Sequence, residues 1–378
     1  MTLTGITWDH PRGYAGLEAL GREAGDTNRA VDWRRQSLEG FESTPVASLA
    51  PHYDLMIIDH PNLGAAIAAG ALVPLDAVFE PAELSSWSAE SVGPSFDSYR
   101  IAGTPWAVPI DAATQVSVAT GAVDELPGTW DEAIALAARV PSALCLGGPH
   151  AFLMFAALCV ALGEEPCASP GFVASRPTAE SAYEIMAELL VVADRSLSRL
   201  APIALLERMS ATGGPDYCPL VYGYMTYHAS GRPRPLHAGN APTVSKGSRV
   251  GSVLGGTGMA VSALRHHSSP DQNEIRRLIR EVMNRKTQVE TYLAHGGQAS
   301  SAKAWSDDRV NFSVGGFYRD TRQTIEGAWI RPREPYYPAF QVHASSFVRE
   351  GLFSRSRSRD VLTELDRAYA KRRAGIDV

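Results

Sequence analysis

The residues best suited to chemistry occur in an Asp-His-Pro phrase that appears twice in the 378-residue sequence. Asp9 and His10 follow one short apolar run, and Asp59 and His60 follow another. Histidine readily takes up and returns a proton near neutral pH, and an adjacent carboxylate can raise its pKa or fix its tautomer. The repeat therefore predicts acid/base chemistry that needs no cofactor, with a histidine as general base and its aspartate as the orienting group.

The two apolar runs are expected to be buried strands that end at the proline, because a residue before proline avoids the helical region. In an open α/β sheet, ligands bind outside the carboxyl ends of the strands. The two phrases should then place two carboxylates and two imidazoles at one crevice. The alternative is structural: Asp9 caps the following turn and His10 packs at its edge.

Other polar and aromatic residues are candidates for the same crevice. Arg12 could hold a ligand carboxylate through two parallel hydrogen bonds. Cys218 could be a nucleophile if a histidine lies near it, although inert buried cysteine is commoner. The candidate catalytic residues are Asp9, His10, Asp59, His60 and Tyr222. The candidate ligand-binding residues are Trp8, Arg12, Asp111, Cys218, Tyr224, Gly256, Thr257, Glu326 and Trp329.

Composition and charge limit the class of protein. A hydrophobic content of 45% and a charged content of 20% are typical of a globular protein. The net charge of -6 disfavours nucleic acid as a partner, because phosphate binding needs a basic face. The sequence shows no export signal, membrane-spanning stretch, zinc-ligand spacing or phosphate-loop motif. We therefore expect a cytoplasmic protein with a small-molecule ligand or substrate, no cofactor, no metal and no membrane insertion; the oligomeric state stays open.

Strand-like and helix-like segments alternate in the first third of the chain, which favours a doubly wound, mostly parallel α/β sheet. The length of the chain favours two lobes rather than one core. Thr129 followed by Glu132 predicts a capping box at the start of a helix. The pattern also predicts a helix over 41–50 and a long amphipathic helix over 270–295.

Five short motifs resemble the extracellular solute-binding proteins of ABC importers, of the sugar-binding type. They are Tyr53–Asp59, Ala69–Asp76, Trp106–Asp111, Thr129–Glu132 and Gly255–Gly258. The resemblance implies a periplasmic-binding-protein-like fold of type II, in which two α/β lobes hold a ligand in the cleft between them. By this resemblance, lobe one would comprise residues 1–110 and 259–312, and lobe two residues 111–258 and 313–378.

Two functions fit these observations. The first is a cytoplasmic, cofactor-free acid/base enzyme (a lyase, isomerase, cyclase or hydrolase) that closes over a small polar organic molecule. The second is a non-catalytic binding protein, either the substrate-binding component of an ABC transporter or an intracellular ligand sensor. The first hypothesis depends on the Asp-His groups being available to a substrate.

Overall fold

The computed structural model describes residues 2–23, 31–229 and 231–376. Its β-strands, in chain order, are β1 (Thr4–Trp8), β2 (Asp32–Gln36), β3 (Leu55–Ile58), β4 (Arg100–Ile101), β5 (Thr104–Pro105), β6 (Val108–Thr120), β7 (Tyr217–Tyr222), β8 (Leu236–Gly239) and β9 (Leu254–Val261). The helices are α1 (Pro11–Glu23), α2 (Leu38–Ser43), α3 (Val46–Leu49), α4 (Leu63–Ala68), α5 (Pro81–Glu90), α6 (Trp130–Ala137), α7 (His150–Ala161), α8 (Arg176–Val192), α9 (Pro202–Ser210), α10 (Ser269–Met283), α11 (Tyr292–Ala294), α12 (Ala302–Ser306), α13 (Asp308–Ser313), α14 (Phe317–Asp320), α15 (Arg322–Glu326), α16 (Tyr337–Phe353) and α17 (Ser358–Arg373). The chain is thus a mixture of strands and helices, as the sequence predicts.

The described residues form two compact units. Unit 1 contains the described residues of 1–113, 255–310 and 333–335, and unit 2 contains those of 114–254, 311–332 and 336–376. The chain therefore passes between the units several times. None of the described helices has both the length and the apolar character needed to cross a membrane.

The sheet of unit 1 has the strand order β2-β1-β3-β9. Strand β1 is parallel to both of its neighbours, and β9 runs antiparallel to β3. Ile6 of β1, Met56 and Ile58 of β3 and Ala260 of β9 are buried in one apolar core. Because β1 and β3 are parallel neighbours, the residues that follow them lie at the same edge of the sheet.

In unit 2, the part of β6 from residue 114 onward pairs with β7 and β8, both antiparallel. Helix α7 is buried along its whole length, as expected for a helix that is apolar on every side. Gly251 lies against this helix so closely that an added Cβ would be 2.1 Å from the Ala157 carbonyl oxygen. The backbone at Gly251, in the segment before β9, thus packs directly on α7.

The predicted capping box is confirmed: Thr129 accepts the Glu132 N–H at the start of α6, and Glu132 accepts the Thr129 N–H in return. The prediction of one helix over 41–50 is wrong, because α2 ends at Ser43 and Pro45 starts a second short helix.

The prediction of one continuous helix over 270–295 is also wrong. Helix α10 ends at Met283, where Asn284 has extended backbone angles, and a π-helical turn (Thr287–Thr291) leads into α11. The apolar periodicity continues past Met283 in the sequence, but the backbone angles of Asn284 end the regular hydrogen-bonding pattern.

Candidate functional site

The two Asp-His phrases lie at neighbouring strand ends in unit 1. Gly5 of β1 is aligned with Leu55 of β3, and Ile6 with Met56. The same register continued to the strand ends sets Asp9 beside Asp59. The sheet therefore brings the two phrases to one edge, which is the first requirement of the sequence hypothesis.

His10 has a structural role at the start of α1. Its Nδ1 accepts a hydrogen bond of 3.1 Å from the Arg12 N–H, which satisfies one of the N–H groups that a helix start leaves without a helical partner. Its ring stacks on Trp8, with ring centroids 5.1 Å apart and planes 7° apart. An Nδ1 that accepts a hydrogen bond places the proton of the neutral ring on Nε2.

Asp9 is exposed to solvent and is not part of a buried site. Its side chain is 62% exposed, and its Oδ1 lies 3.7 Å from Nη1 of Arg35. Its backbone N–H donates to the carbonyl oxygen of Gln36 at the end of β2. An exposed carboxylate with a long ion pair interacts weakly with its partner. Asp9 therefore does not orient His10, whose Nδ1 is bonded to the backbone.

Asp59 and His60 are arranged differently. His60 is fully buried at the start of a 3₁₀ turn (His60–Asn62), and its Nδ1 lies 3.3 Å from Asp59 Oδ1. Its ring meets the edge of Tyr99, whose hydroxyl donates to the Ile58 carbonyl oxygen. This pair matches the predicted arrangement of an aspartate beside a histidine, but the imidazole lies in the core.

A buried, bidentate ion pair in unit 1 joins Arg12 to Asp111. Arg12 Nε donates to Asp111 Oδ2 at 2.6 Å, and Arg12 Nη2 donates to Oδ1 at 2.5 Å. The two side chains are only 5% and 2% exposed. Burial raises the pKa of Asp111, the Arg12 guanidinium opposes that shift, and the nearby charge of Asp59 adds to it. Arg12 thus already holds one carboxylate, and its part in ligand binding stays a prediction.

Trp8 is a core residue rather than an open platform. It is 3% exposed, and an added Cβ on Gly13 would be 2.4 Å from its Nε1. Phe41 packs against the ring at a centroid distance of 6.1 Å. Within the described part of the chain, Trp8 Nε1 has no hydrogen-bond partner. The His10 ring covers the tryptophan, so stacking of a ligand on Trp8 would require His10 to move.

Gly256 and Thr257 belong to β9. Gly256 has a φ of 105°, and an added Cβ would be 2.3 Å from the Asp111 carbonyl oxygen. Glycine is required there by the backbone conformation and by this close approach. Thr257 is buried. Gly256 therefore serves close backbone packing in unit 1.

Tyr292 was missed by the sequence analysis. It is fully buried between Gly16 and Gly297, and its hydroxyl has no hydrogen-bond partner among the residues that the structure describes. Burial raises its pKa well above the usual value, and the Asp111 carboxylate adds to the shift. The hydroxyl therefore lies in the electrostatic field of the Arg12–Asp111 pair. Tyr292 directly follows the π-helical turn, and such turns are often found at functional sites.

In unit 2, Tyr222 ends β7 and donates a 3.5 Å hydrogen bond to the Leu254 carbonyl oxygen. Tyr224 is buried against Tyr227, with ring centroids 6.3 Å apart. Cys218 is fully buried, and burial raises the pKa of its thiol to about 12. A thiol with that pKa holds its proton at neutral pH, so Cys218 has the properties of an inert core cysteine.

Glu326 and Trp329 differ in solvent exposure. Glu326 is exposed and accepts a 2.6 Å hydrogen bond from Arg322 Nε on the same helix. Trp329 is buried, and its backbone pairs with the segment around Val253. Arg331, two residues later, is 4% exposed and was not among the predicted site residues. A charged residue after the apolar run Ala328–Ile330 was the available sequence signal.

Two surface pockets lie away from all of these residues. One, of about 710 Å³, is in unit 2 and includes the ion pair of Arg234 with Asp216. The other, of about 440 Å³, is in unit 1 and includes the pair of Arg309 with Asp307. Across 2–23, 31–229 and 231–376, no three His, Cys, Asp or Glu residues are grouped so that they could hold a metal ion.

Comparison with known proteins identifies the fold. No protein-family model matches the sequence, and no curated protein sequence matches it. Solved structures match over nearly the whole chain. An ABC transporter solute-binding protein from Agrobacterium radiobacter K84 in complex with ribitol has 20% identity, a TM-score of 0.81 and 98% coverage of both chains.

Two further structures match equally completely. Maltose-bound MalE3 from T. maritima has 16% identity and a TM-score of 0.79, with 97% of this chain and 98% of that chain covered. A solute-binding protein from Thermotoga lettingae TMO with alpha-D-tagatose has 14% identity and a TM-score of 0.79, with 98% and 99% covered. The chain therefore has the periplasmic-binding-protein-like fold of type II, as the resemblance implied.

Proposed function

We propose that this protein binds a small polyhydroxylated molecule, a sugar or a polyol, and releases it unchanged. The observation that carries the proposal is the match of the fold over nearly the whole chain to proteins solved with ribitol, maltose and tagatose. Fold similarity at this identity is an analogy for function, so the residues must be considered separately.

The exposure and the hydrogen bonds of the residues predicted to be catalytic favour binding over catalysis. A general base must reach the proton that it removes. His10 Nδ1 is bonded to the helix start, Asp9 is exposed, and His60 is fully buried. The Cys218 thiol stays protonated at neutral pH. This arrangement favours the second hypothesis over a cofactor-free enzyme.

Thermal unfolding with a panel of neutral sugars and polyols tests the proposal. A ligand at one hundred times its Kd adds about 2.7 kcal/mol to the free energy of unfolding, which shifts Tm by several degrees. We expect such a shift with at least one sugar or polyol, and none with glycine betaine as an unrelated solute. A panel without any saturable shift would contradict the proposal.

The location of the protein decides between the two kinds of binding protein. A transporter component is expected outside the cytoplasmic membrane, whereas a ligand sensor is expected in the cytoplasm, the location that the sequence analysis expects. Cell fractionation with an antibody against the chain distinguishes them. Both outcomes leave sugar or polyol binding unchanged.

A further inference from the structure

The turn between α16 and α17 in unit 2 has a basic sequence, in which serine and arginine alternate over residues 354–359. Its three arginines are exposed, and none of them forms an ion pair within the part of the chain that the structure describes: Arg355, Arg357 and Arg359. The only acidic residue between 351 and 363 is Asp360. These three arginines form the arginine turn.

Arg355 occupies a backbone position that favours glycine. Its φ is 55°, in the left-handed region. The Ser356 N–H donates to the Gly351 carbonyl oxygen at 2.9 Å, and the Arg355 N–H donates to the Leu352 carbonyl oxygen at 3.2 Å. These two bonds form a Schellman motif at the end of α16, where glycine is usual because a Cβ is sterically costly in left-handed backbone. The negative end of the α16 dipole attracts a cation there, but this accounts for the charge of Arg355 alone.

The start of α17 does not explain the other two arginines. Arg357 is the N-cap of this helix and makes no side-chain capping hydrogen bond, and Arg359 lies in the first turn. The positive end of a helix dipole repels cations, and serine, threonine, aspartate or asparagine is preferred at an N-cap. Arg357 and Arg359 therefore oppose the start of α17, so a role outside the folding of unit 2 accounts for them better.

Arg195 extends the positive surface of the arginine turn. Its Nη2 donates a 2.5 Å hydrogen bond to the carbonyl oxygen of Phe353, two residues before Arg355. Its guanidinium lies 4.9 Å from the centroid of the Phe353 ring. In the last turn of α16, Glu350 is already paired with Arg199. A chain with a net charge of -6 thus has a locally positive surface here.

We propose that the arginine turn is a contact surface for an anionic phospholipid bilayer, to which the protein attaches reversibly and without insertion. A guanidinium binds phosphate oxygens with paired N–H donors, and each basic side chain near an anionic bilayer increases the affinity about fivefold. At physiological ionic strength the Debye length is about 8 Å, so acidic residues farther from the bilayer are screened. A protein partner fits less well, because the centre of a protein interface is usually apolar or aromatic, whereas this turn contains only serine and arginine.

Co-sedimentation with vesicles tests the proposal. Vesicles of phosphatidylcholine alone are compared with vesicles in which about a third of the lipid is phosphatidylglycerol, at low salt and at about 0.5 M salt. We expect the protein to bind the acidic vesicles at low salt, to be released at high salt, and not to bind phosphatidylcholine. Salt-independent binding, binding to both kinds of vesicle, or no binding to the acidic vesicles would overturn the proposal. Capture of the protein by soluble polyglutamate without binding to vesicles would also overturn it, in favour of an acidic protein partner.

A triple variant separates the bilayer contact from folding: Arg355→Gly, Arg357→Ser and Arg359→Gln. Each substitution supplies a residue that the local backbone or helix dipole favours over arginine, so the Tm of the variant should equal or exceed that of the wild type. Its affinity for acidic vesicles should fall about a hundredfold, because three basic side chains are lost. A Tm below the wild-type value would show that the arginines serve folding and would overturn the proposal.

A second triple variant is the control for net charge: Arg139→Gln, Lys246→Gln and Arg285→Gln. These residues are exposed and lie outside the arginine turn, so this variant should keep most of the affinity for acidic vesicles. An equal loss in both triple variants, or an unchanged affinity in the variant of the arginine turn, would overturn the proposal. Neither variant should change the binding of neutral sugars and polyols, so the result is independent of the proposed function.

Discussion

Arg12 and Asp111 form a buried ion pair in which two N–H donors of one guanidinium meet both oxygens of one carboxylate. The residues are 99 positions apart in the sequence, and the pair connects the start of α1 to β6 within unit 1. Each side chain is at most 5% exposed. Because a buried ion pair is strongly destabilised when one partner is removed, replacing either residue alone should lower the stability of the protein.

Replacement of Asp111 by asparagine should lower the free energy of unfolding by about 3–5 kcal/mol, because it removes the carboxylate that both Arg12 Nε and Arg12 Nη2 contact in a buried pair. Urea denaturation of the variant measures the loss. Asp32→Asn is the matched control, since Asp32 forms an exposed pair with Arg34 in the same unit and should cost less than about 1 kcal/mol. Equal losses in the two variants would contradict the assignment of Arg12–Asp111 as a buried pair.

Replacement of His10 by alanine should cost about 1 kcal/mol of stability, because the Arg12 N–H at the start of α1 loses its acceptor. His10→Asn supplies another acceptor and should recover part of that loss. Urea denaturation of both variants measures the difference. If His10→Ala were as stable as the wild type, His10 would not be a helix cap, and its role in chemistry would have to be reconsidered.

Acid should destabilise the protein through two buried histidines of unit 2. Burial lowers the pKa of His228 to about 4, although the hydrogen bond between its Nδ1 and the Leu236 carbonyl oxygen raises this pKa. Burial, and to a lesser extent Arg331, lower the pKa of His150 to about 3. The unfolded chain has histidine pKa values of about 6.5, so below that pH it binds protons that the native chain does not. The free energy of unfolding therefore falls as pH drops from about 6.5 toward 4, by up to about 1.4 kcal/mol per unit for each histidine.

His228→Gln should reduce the slope of the free energy of unfolding against pH between about pH 5 and 6.5 by the contribution of one histidine, which is about 1 kcal/mol per pH unit on average over this range. Urea denaturation across this pH range measures the slope. His266→Gln, at an exposed histidine, is the matched control for replacing an imidazole by an amide. An unchanged slope in His228→Gln would contradict the assignment of His228 as a buried neutral imidazole.

Replacement of Gly251 by alanine should destabilise unit 2 by about 1–3 kcal/mol, because the new Cβ would meet the Ala157 carbonyl of α7 at 2.1 Å and backbone must shift. Gly121→Ala is the matched control, since no atom lies within 4 Å of the added Cβ. Thermal unfolding compares the two. Similar Tm values would show that α7 can move away at little cost.

Much of the fold could be predicted from local sequence. The apolar runs before the two Asp-His-Pro phrases are β1 and β3, and their parallel pairing follows from the alternation of strands and helices. The capping box at Thr129 was predicted from two residues alone. Helix ends were predicted less well. The apolar periodicity continues past Asn284 and past Pro45, but the extended backbone of Asn284 ends α10, and Pro45 separates α2 from α3.

The site could be predicted only in part. The sequence pattern predicts that Asp9 and Asp59 lie at one sheet edge, but it does not predict which residues their side chains and those of their neighbours contact. Arg12 meets Asp111 from a distant strand, and the His10 ring bonds a backbone N–H instead of Asp9. Tyr292 has the sequence context of an ordinary core tyrosine, and the absence of a partner for its buried hydroxyl among the described residues becomes visible only in the structure.

The central claim is that the protein holds a sugar or polyol and returns it chemically unchanged. The most direct measurement is isothermal titration with the best ligand of the panel, followed by nuclear magnetic resonance of the ligand recovered after prolonged incubation with stoichiometric protein. We predict saturable binding and a recovered ligand identical to the one added. Conversion of the ligand into another compound, or failure of every sugar and polyol of the panel to bind, would contradict the account.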